Sequence, residues 1–229
     1  MTKTSILKPV DEVSLLQKKL KRGAEDMRLN WKISKGLAQK KAASYHIEQI
    51  LCGPNQDFEL TIEHYLKIHN FLFAGVADYG PGMLREYPLK YYASSLTTLW
   101  DYNLLLPIAP ENLRQTWEYV LNYEKNICNA KLSQDELVIH FAKLHAALWV
   151  IHFVGNGNTR TSTVFMIQYL RMMGYNIDNT FFSANAHAFK TALFFACFGW
   201  GDSVPINDEP LFLFYRNMLL GEDNKLIDY

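Results

Sequence analysis

The apolar residues of this chain recur mainly at spacings of three and four, the pattern of helices with one buried face. That spacing predicts helices over these segments: Asp11–Trp31, Lys32–Leu51, Thr61–Ala74, from Glu111 onward, from Ser133 to about Phe153, Thr159–Met173, Ala184–Phe198 and Glu209–Leu220. The clearest start is at Ser133, because Ser133 and Glu136 have the spacing of a capping box ahead of a long apolar run. We therefore expect an all-α fold, a bundle of helices.

One long stretch, Gly75–Tyr92, lacks the helical pattern. Its Gly-Pro-Gly sequence and its spaced aromatic residues are typical of a loop or a short hairpin. The chain shows no internal repeat and no clear linker. We divide it into an N-terminal helical arm, residues 1–30, and one domain over residues 31–229.

Composition narrows the class of protein. Of the 229 residues 49% are apolar, enough for a sizeable core, and 23 basic residues balance 23 acidic ones, which argues against non-specific nucleic-acid binding. Three scattered cysteines without a C-x-x-C pair fit a reducing compartment. Since no apolar run reaches the ~20 residues of a membrane span and no signal peptide is evident, we expect a cytoplasmic protein without a membrane span. Secretion into a host cell without a cleavable signal stays open.

The stretch with the most chemical content is Ile151–Thr161, IHFVGNGNTRT. A buried helix ends in a histidine, a turn rich in glycine and asparagine follows, and a new helix begins with Arg160 in its first turn. The first amides of a helix attract phosphate oxygens, glycines let successive N–H groups converge, and arginine adds a bidentate fork. His152 can accept a proton near neutral pH.

A simpler interpretation fits the same residues. Helix–turn–helix corners with glycine and asparagine are common, and a histidine at a helix end is often a cap or a packing residue. His140 and His145 precede His152 on the same predicted helix, but offsets of five and seven do not suit a metal site. We expect those two histidines to pack or to form hydrogen bonds.

The segment resembles the signature of the Fic/DOC family, His-Pro-Phe-x-(Asp/Glu)-Gly-Asn-(Gly/Thr)-Arg. The two align without gaps from His152 to Arg160. Three neighbouring segments are also similar to that family: IHNFLFAGVADYG, TSTVFMIQYLRMMGYNID and SANAHAFKTALFFACF. The resemblance implies a Fic fold, a helical bundle with a small β-hairpin flap.

What the resemblance implies is a nucleotidyltransferase that uses ATP and Mg2+ and moves AMP to a Ser, Thr or Tyr hydroxyl of a target protein. His152 would be the catalytic base. The implied nucleotide-binding residues are Gly155, Gly157, Asn158, Thr159 and Arg160, and position 156 is the implied metal ligand. The implied partners are ATP and the target protein, while the oligomeric state stays open, a homo-oligomer included.

The resemblance also assigns a target-docking flap and an inhibitory helix. The flap would bind an extended segment of the target by strand addition, through Arg85, Glu86, Tyr87, Pro88, Leu89 and Lys90. Ser44 and Glu48 match the inhibitory Ser/Thr-x-x-x-Glu pattern, whose glutamate pairs in the family with a second arginine. Since Thr163 stands at the place of that arginine, we expect the inhibition to be weak.

Departures from the signature leave the chemistry open. Asn156 replaces the metal-binding acid, and an amide oxygen brings no charge to Mg2+. Val154 replaces the phenylalanine and Phe153 the proline, which predicts a looser turn. Two alternatives to AMP transfer follow: a catalytically impaired Fic-like protein that binds nucleotide or regulates a partner, or a Fic enzyme that transfers another phosphate-containing group.

Overall fold

The structure, a computed structural model, describes residues 36, 38–53, 57–88, 90–92, 103–105, 108–127, 132–198 and 205–227. The chain forms two compact units, Met1–Ala43 and Ser44–Tyr229. In the first unit the described residues, 36 and 38–43, are helical. The predicted arm, 1–30, and the predicted helix Asp11–Trp31 lie outside the described residues.

The described part of the second unit is mainly helical, which confirms the predicted all-α class. Its helices are α1, 44–52; α2, Ile62–Leu72; α3, Leu113–Ile127; α4, Gln134–Ile151; α5, Asn158–Met172; α6, Thr180–Ala184; α7, Ala186–Phe198; and α8, Glu209–Leu220. Two 3-10 turns, Ala77–Tyr79 and Pro110–Asn112, lie between α2 and α3. Among the helices described, each is too short or too polar to cross a lipid bilayer.

Helix α4 begins as predicted. The Ser133 hydroxyl accepts a hydrogen bond from the Glu136 backbone N–H at 3.3 Å, and the Glu136 carboxylate accepts one from the Ser133 backbone N–H at 2.8 Å. This reciprocal pair is the capping box that the sequence indicated. The helix therefore has a fixed start, eighteen residues before the corner that bears His152.

The region before α7 differs from the prediction. A separate short helix, α6, precedes α7, and Asn185 lies between them with φ −114° and ψ 28°. The Asn185 side-chain amide donates to the Phe181 carbonyl oxygen at 2.9 Å. Asparagine side chains compete with backbone hydrogen bonds in this way, which accounts for the break.

Two short strands pair in antiparallel fashion, β1, Lys90–Tyr92, and β2, Asn103–Leu105, with Tyr91 opposite Leu104. Only β1 belongs to the non-helical stretch Gly75–Tyr92. Its partner comes from downstream, where the pattern indicated no strand. The role of this pair as part of a flap stays a prediction.

Helix α5 lies at the centre of the core. Every residue over 161–170 is buried, so α5 has no solvent-facing side in this stretch. Helix α2 packs on α5, and α4 packs on α5, α7 and α8. The α4–α5 corner is thereby held from several sides, which is what a precise site requires.

Candidate functional site

The corner between α4 and α5 is held in an unusual backbone conformation. Helix α4 ends at Ile151, and the C-cap residue His152 has φ 57° and ψ 66° and is the sole non-glycine with positive φ among the described residues. The left-handed region costs a residue with a Cβ ~1–2 kcal/mol. Surrounding contacts must therefore hold His152 in place, and such backbone outliers cluster at functional sites.

The turn after His152 is anchored by an aromatic ring. Phe153 is fully buried, and its ring meets those of Trp117 and Tyr65 edge-on, with centroids 4.7 and 5.7 Å away. Val154 is fully buried as well. The expectation of a looser turn is therefore wrong, because Phe153 places a large ring in the core one residue before the position where the family has its phenylalanine.

The His152 imidazole is half-buried at this corner. Burial first, and then the nearby charge of Arg85, lower the pKa of His152 to about 4, while a backbone hydrogen bond with Gly155 acts in the opposite direction. The imidazole is thus neutral at pH 7, the state in which it accepts a proton.

The N-terminus of α5 presents backbone donors. Gly157 is its N-cap and provides no side-chain cap, and the first hydrogen bond is from Thr161 N–H to Gly157 C=O at 3.0 Å. The N–H groups that precede Thr161 in the first turn have no intrahelical acceptor. Gly157 has φ 79°, and a Cβ there would lie 2.3 Å from the Phe73 ring, so this position requires glycine.

Arg160 lies in the first turn of α5, over aromatic rings. Its guanidinium carbon is 4.7 Å from the Phe73 ring centroid and 5.9 Å from that of Tyr79. No carboxylate of the described residues forms an ion pair with it. Its N–H donors are therefore available to an anion beside the free backbone donors of α5.

Asn158 and Thr159 have structural contacts already. The Asn158 side chain is buried, accepts from the Tyr65 hydroxyl at 3.0 Å and donates to the Trp149 carbonyl oxygen at 3.0 Å. The Thr159 hydroxyl accepts from the Trp149 indole N–H at 2.9 Å. These side chains tie α5 to α4 and α2, so a phosphate would meet the backbone N–H groups of the two residues instead.

Gly155 and Asn156 form the middle of the turn. A Cβ at Gly155 would lie 2.6 Å from the Tyr87 hydroxyl oxygen, so Tyr87 covers this part of the corner. Asn156 is exposed, and its side-chain amide donates to the Asp78 carbonyl oxygen at 3.3 Å. The turn thus lies against the loop that follows α2.

His69 was not among the predicted site residues, yet its side chain supports the turn. This fully buried imidazole donates from Nε2 to the Asn156 carbonyl oxygen at 2.9 Å and accepts at Nδ1 from the Gly82 N–H at 3.1 Å. Those partners fix the neutral tautomer, and burial lowers the pKa of His69. A histidine on the apolar face of the predicted helix Thr61–Ala74 was the available signal, since a buried polar group is unusual.

The assigned flap residues have different environments. Arg85 is buried, while Glu86, Tyr87 and Pro88 are exposed. Leu89 lies outside the described residues, and Lys90 is described only as part of β1. The docking role of this segment stays a prediction, and so do the roles assigned to the nucleotide-binding residues.

Ser44 and Glu48 lie on the exposed side of α1. No ion pair joins Glu48 to a cation among the residues that the structure describes. Thr163, at the place of the second arginine, is buried, and its hydroxyl donates to the Thr159 carbonyl oxygen at 2.8 Å. Inhibition by Glu48 stays a prediction.

The other two histidines of α4 have hydrogen-bonded roles, as predicted. His140 Nε2 donates to the Glu124 carboxylate at 2.8 Å. His145 lies between the Tyr215 hydroxyl, at 2.7 Å, and the Ser162 hydroxyl, at 3.2 Å. Burial lowers the pKa of His145 to about 3, so it is neutral at pH 7.

The fold and this corner together define the class of protein: a helical domain with a neutral histidine and an accessible arginine on one helix–turn–helix corner. Residues 59–170 match the model of the Fic/DOC family, the family that the sequence resembles around His152. A comparison with curated protein sequences gave no match.

Solved structures of low sequence identity share the fold. The N-terminal FIC domain of the effector Bep8 from Bartonella sp. 1-1C superposes with a TM-score of 0.62 at 15% identity, covering 80% of this chain and 84% of that one. BepC from Bartonella tribocorum, with bound AMPPNP, gives 0.61 at 17%, covering 79% and 84%. A Fic domain from Bartonella quintana with bound ADP gives 0.62 at 17%, covering 79% and 82%.

Proposed function

We propose that this protein is an adenylyltransferase, which moves AMP from ATP to a Ser, Thr or Tyr hydroxyl of a target protein. One observation carries the proposal: the α4–α5 corner combines a neutral His152 with the available donors of Arg160 and of the first turn of α5. Of the structurally similar proteins, BepC was solved with bound AMPPNP and the Bartonella quintana domain with bound ADP. These ligands support a nucleotide as the ligand of this chain.

The proposed reaction uses these groups in order. Arg160 and the first-turn N–H groups of α5 bind the phosphates of ATP and stabilise the charge that develops on them. The target hydroxyl oxygen attacks the α-phosphorus, and its proton goes to the neutral His152 imidazole. The bond between the α-phosphorus and the oxygen of the β-phosphate breaks, so AMP joins the target and pyrophosphate leaves.

The described residues of the corner do not fit a protein-held Mg2+. Position 156 supplies a neutral amide, and among the described residues no three His, Cys, Asp or Glu side chains are grouped so that they could hold a metal ion. Magnesium sites in proteins normally contain one or two carboxylates.

The neutral amide of Asn156 favours a second candidate function, a Fic-like protein that binds ATP but turns it over poorly. A variant separates the two. Asn156 is exposed and its side-chain amide donates to the Asp78 carbonyl oxygen at 3.3 Å, so Asn156→Glu should fold normally and place a carboxylate in the turn.

The test is incubation with a cell lysate and ATP labelled on either the α- or the γ-phosphate. AMP transfer predicts that target proteins retain the α-label and not the γ-label, with wild type and with Asn156→Glu. His152→Ala should abolish labelling, while His140→Gln, a control on the same helix, should not. Labelling only by Asn156→Glu would favour the second candidate, and transfer of the γ-label would contradict the proposed AMP transfer.

A further inference from the structure

Arg85 is a buried arginine whose three side-chain nitrogens each donate to at least one backbone carbonyl oxygen. It is 3% exposed. Its side chain donates to four carbonyl oxygens: from Nε to His152 at 2.7 Å, from Nη1 to Tyr87 at 3.1 Å, and from Nη2 to Ile108 at 2.5 Å and Ile151 at 3.4 Å. Its backbone N–H donates to the Phe153 carbonyl oxygen at 2.9 Å. One residue thus holds three consecutive carbonyls at the end of α4.

The charge of Arg85 is stabilised by the carbonyl oxygens of this helix end. No carboxylate of the described residues forms an ion pair with it. The last carbonyls of a helix have no intrahelical donor and carry partial negative charge, which favours a cation there. A buried guanidinium with carbonyl acceptors on several sides is rigid, because each donor would lose a hydrogen bond if it moved.

His152 is the residue that gains from this rigidity. The left-handed backbone conformation of His152 is unfavourable by itself. Arg85 donates to the carbonyl oxygen of His152 and to those of its two neighbours, Ile151 and Phe153. We propose that Arg85 is a positioning residue, which fixes the backbone of His152 and so orients its imidazole toward the reacting hydroxyl. This inference rests in part on the proposed function, in which His152 is the base.

The role differs from that of an exposed docking residue. A flap residue that binds a target would keep its donors free for that target, whereas each side-chain nitrogen of Arg85 already donates to a carbonyl oxygen of the chain. Substitution of Arg85 should therefore change the behaviour of His152 even in the absence of any target protein.

The experiment compares Arg85→Met and Arg85→Lys with Arg171→Met in the full chain. Arg171 is a matched control, because its guanidinium also donates to backbone carbonyls, those of Ile177 and Leu51, at 2.7 and 2.6 Å, away from the corner. The first readout is the NMR titration midpoint of the His152 imidazole. The second is the rate of AMP transfer and the KM for ATP, compared at equal folded fraction.

Arg85→Met should raise the His152 midpoint, because the nearby positive charge that helps to lower it is gone, while Arg171→Met leaves the midpoint unchanged. Transfer should slow by about 10- to 100-fold with little change in KM for ATP, since misplacement of a catalytic group affects the rate more than nucleotide binding. Arg85→Lys keeps the charge and should retain the low midpoint with a partly recovered rate.

A His152 midpoint that does not move in Arg85→Met, or a rate loss no larger than that of Arg171→Met, would overturn the proposal. If Arg85→Met does not fold, the Arg85→Lys rate decides, and an unchanged rate overturns it. A wild-type chain without transfer activity would contradict the proposed function alone, because the NMR midpoint still tests the action of Arg85 on His152.

Discussion

Gly157 offers a test of how tightly the corner is built. Gly157 has φ 79°, and an alanine in this left-handed region is less stable by ~1–2 kcal/mol. Its Cβ would also lie 2.3 Å from two ring atoms of Phe73, and overpacking of this kind costs ~1–3 kcal/mol. Gly157→Ala should therefore lower the free energy of unfolding by ~2–5 kcal/mol, a large share of the ~5–15 kcal/mol of a typical domain.

Gly174 provides the matched control. It has φ 93°, yet a Cβ there would have nothing within 4 Å, so Gly174→Ala carries only the backbone cost of ~1–2 kcal/mol. Urea unfolding of both variants isolates the contact with Phe73. Since Arg160 lies over the same ring, displacement of Phe73 should also weaken ATP binding, measured by calorimetry, in Gly157→Ala alone. Equal destabilisation by the two variants would refute the reasoning.

Three further predictions concern other parts of the domain. Arg160→Ala should weaken ATP binding by about 10- to 150-fold, the range for a lost charged hydrogen bond, while Arg114→Ala, which removes an exposed ion pair, should not; equal affinities in calorimetry would contradict this. The pKa of His145 in the folded chain lies near 3, below its ordinary 6.5. The free energy of unfolding therefore has its full His145 contribution above pH 6.5, and it falls by up to ~1.4 kcal/mol per pH unit as the pH drops from 6.5 toward 3. Urea unfolding at several pH values measures that slope, and an NMR midpoint of His145 near 6.5 would disprove it. Glu48→Gly should raise the transfer rate only modestly, because no ion pair holds Glu48 among the described residues; strong activation would show that Glu48 has a cation partner.

Local pattern was sufficient for several of the described helices, though not for the short helix α6. The predicted bounds of α8, Glu209–Leu220, are those observed, and those of α5 differ by one residue at each end. The capping box at Ser133 is also local, since its partners are three residues apart. Helical periodicity and capping depend on near neighbours in sequence, which a single chain displays directly.

The supports of the corner could not be predicted, because their partners are distant in sequence. Arg85 and the His152 carbonyl are 67 residues apart, and His69 and the Asn156 carbonyl are 87 apart. Every residue has a backbone carbonyl, so the residue type does not indicate which carbonyl a distant side chain will bind. The expected looseness at Phe153 failed for a related reason, since its burial depends on rings from α2 and α3.

The central claim is that the α4–α5 corner binds the triphosphate of ATP with the α-phosphate in front of His152. A crystal structure with an ATP analogue that has a methylene group between the α- and β-phosphorus tests this directly. We predict phosphates on the first-turn N–H groups of α5 and on Arg160, with the His152 imidazole facing the α-phosphorus across room for a hydroxyl. An analogue bound elsewhere, or bound with its α-phosphate turned away from His152, would contradict the account.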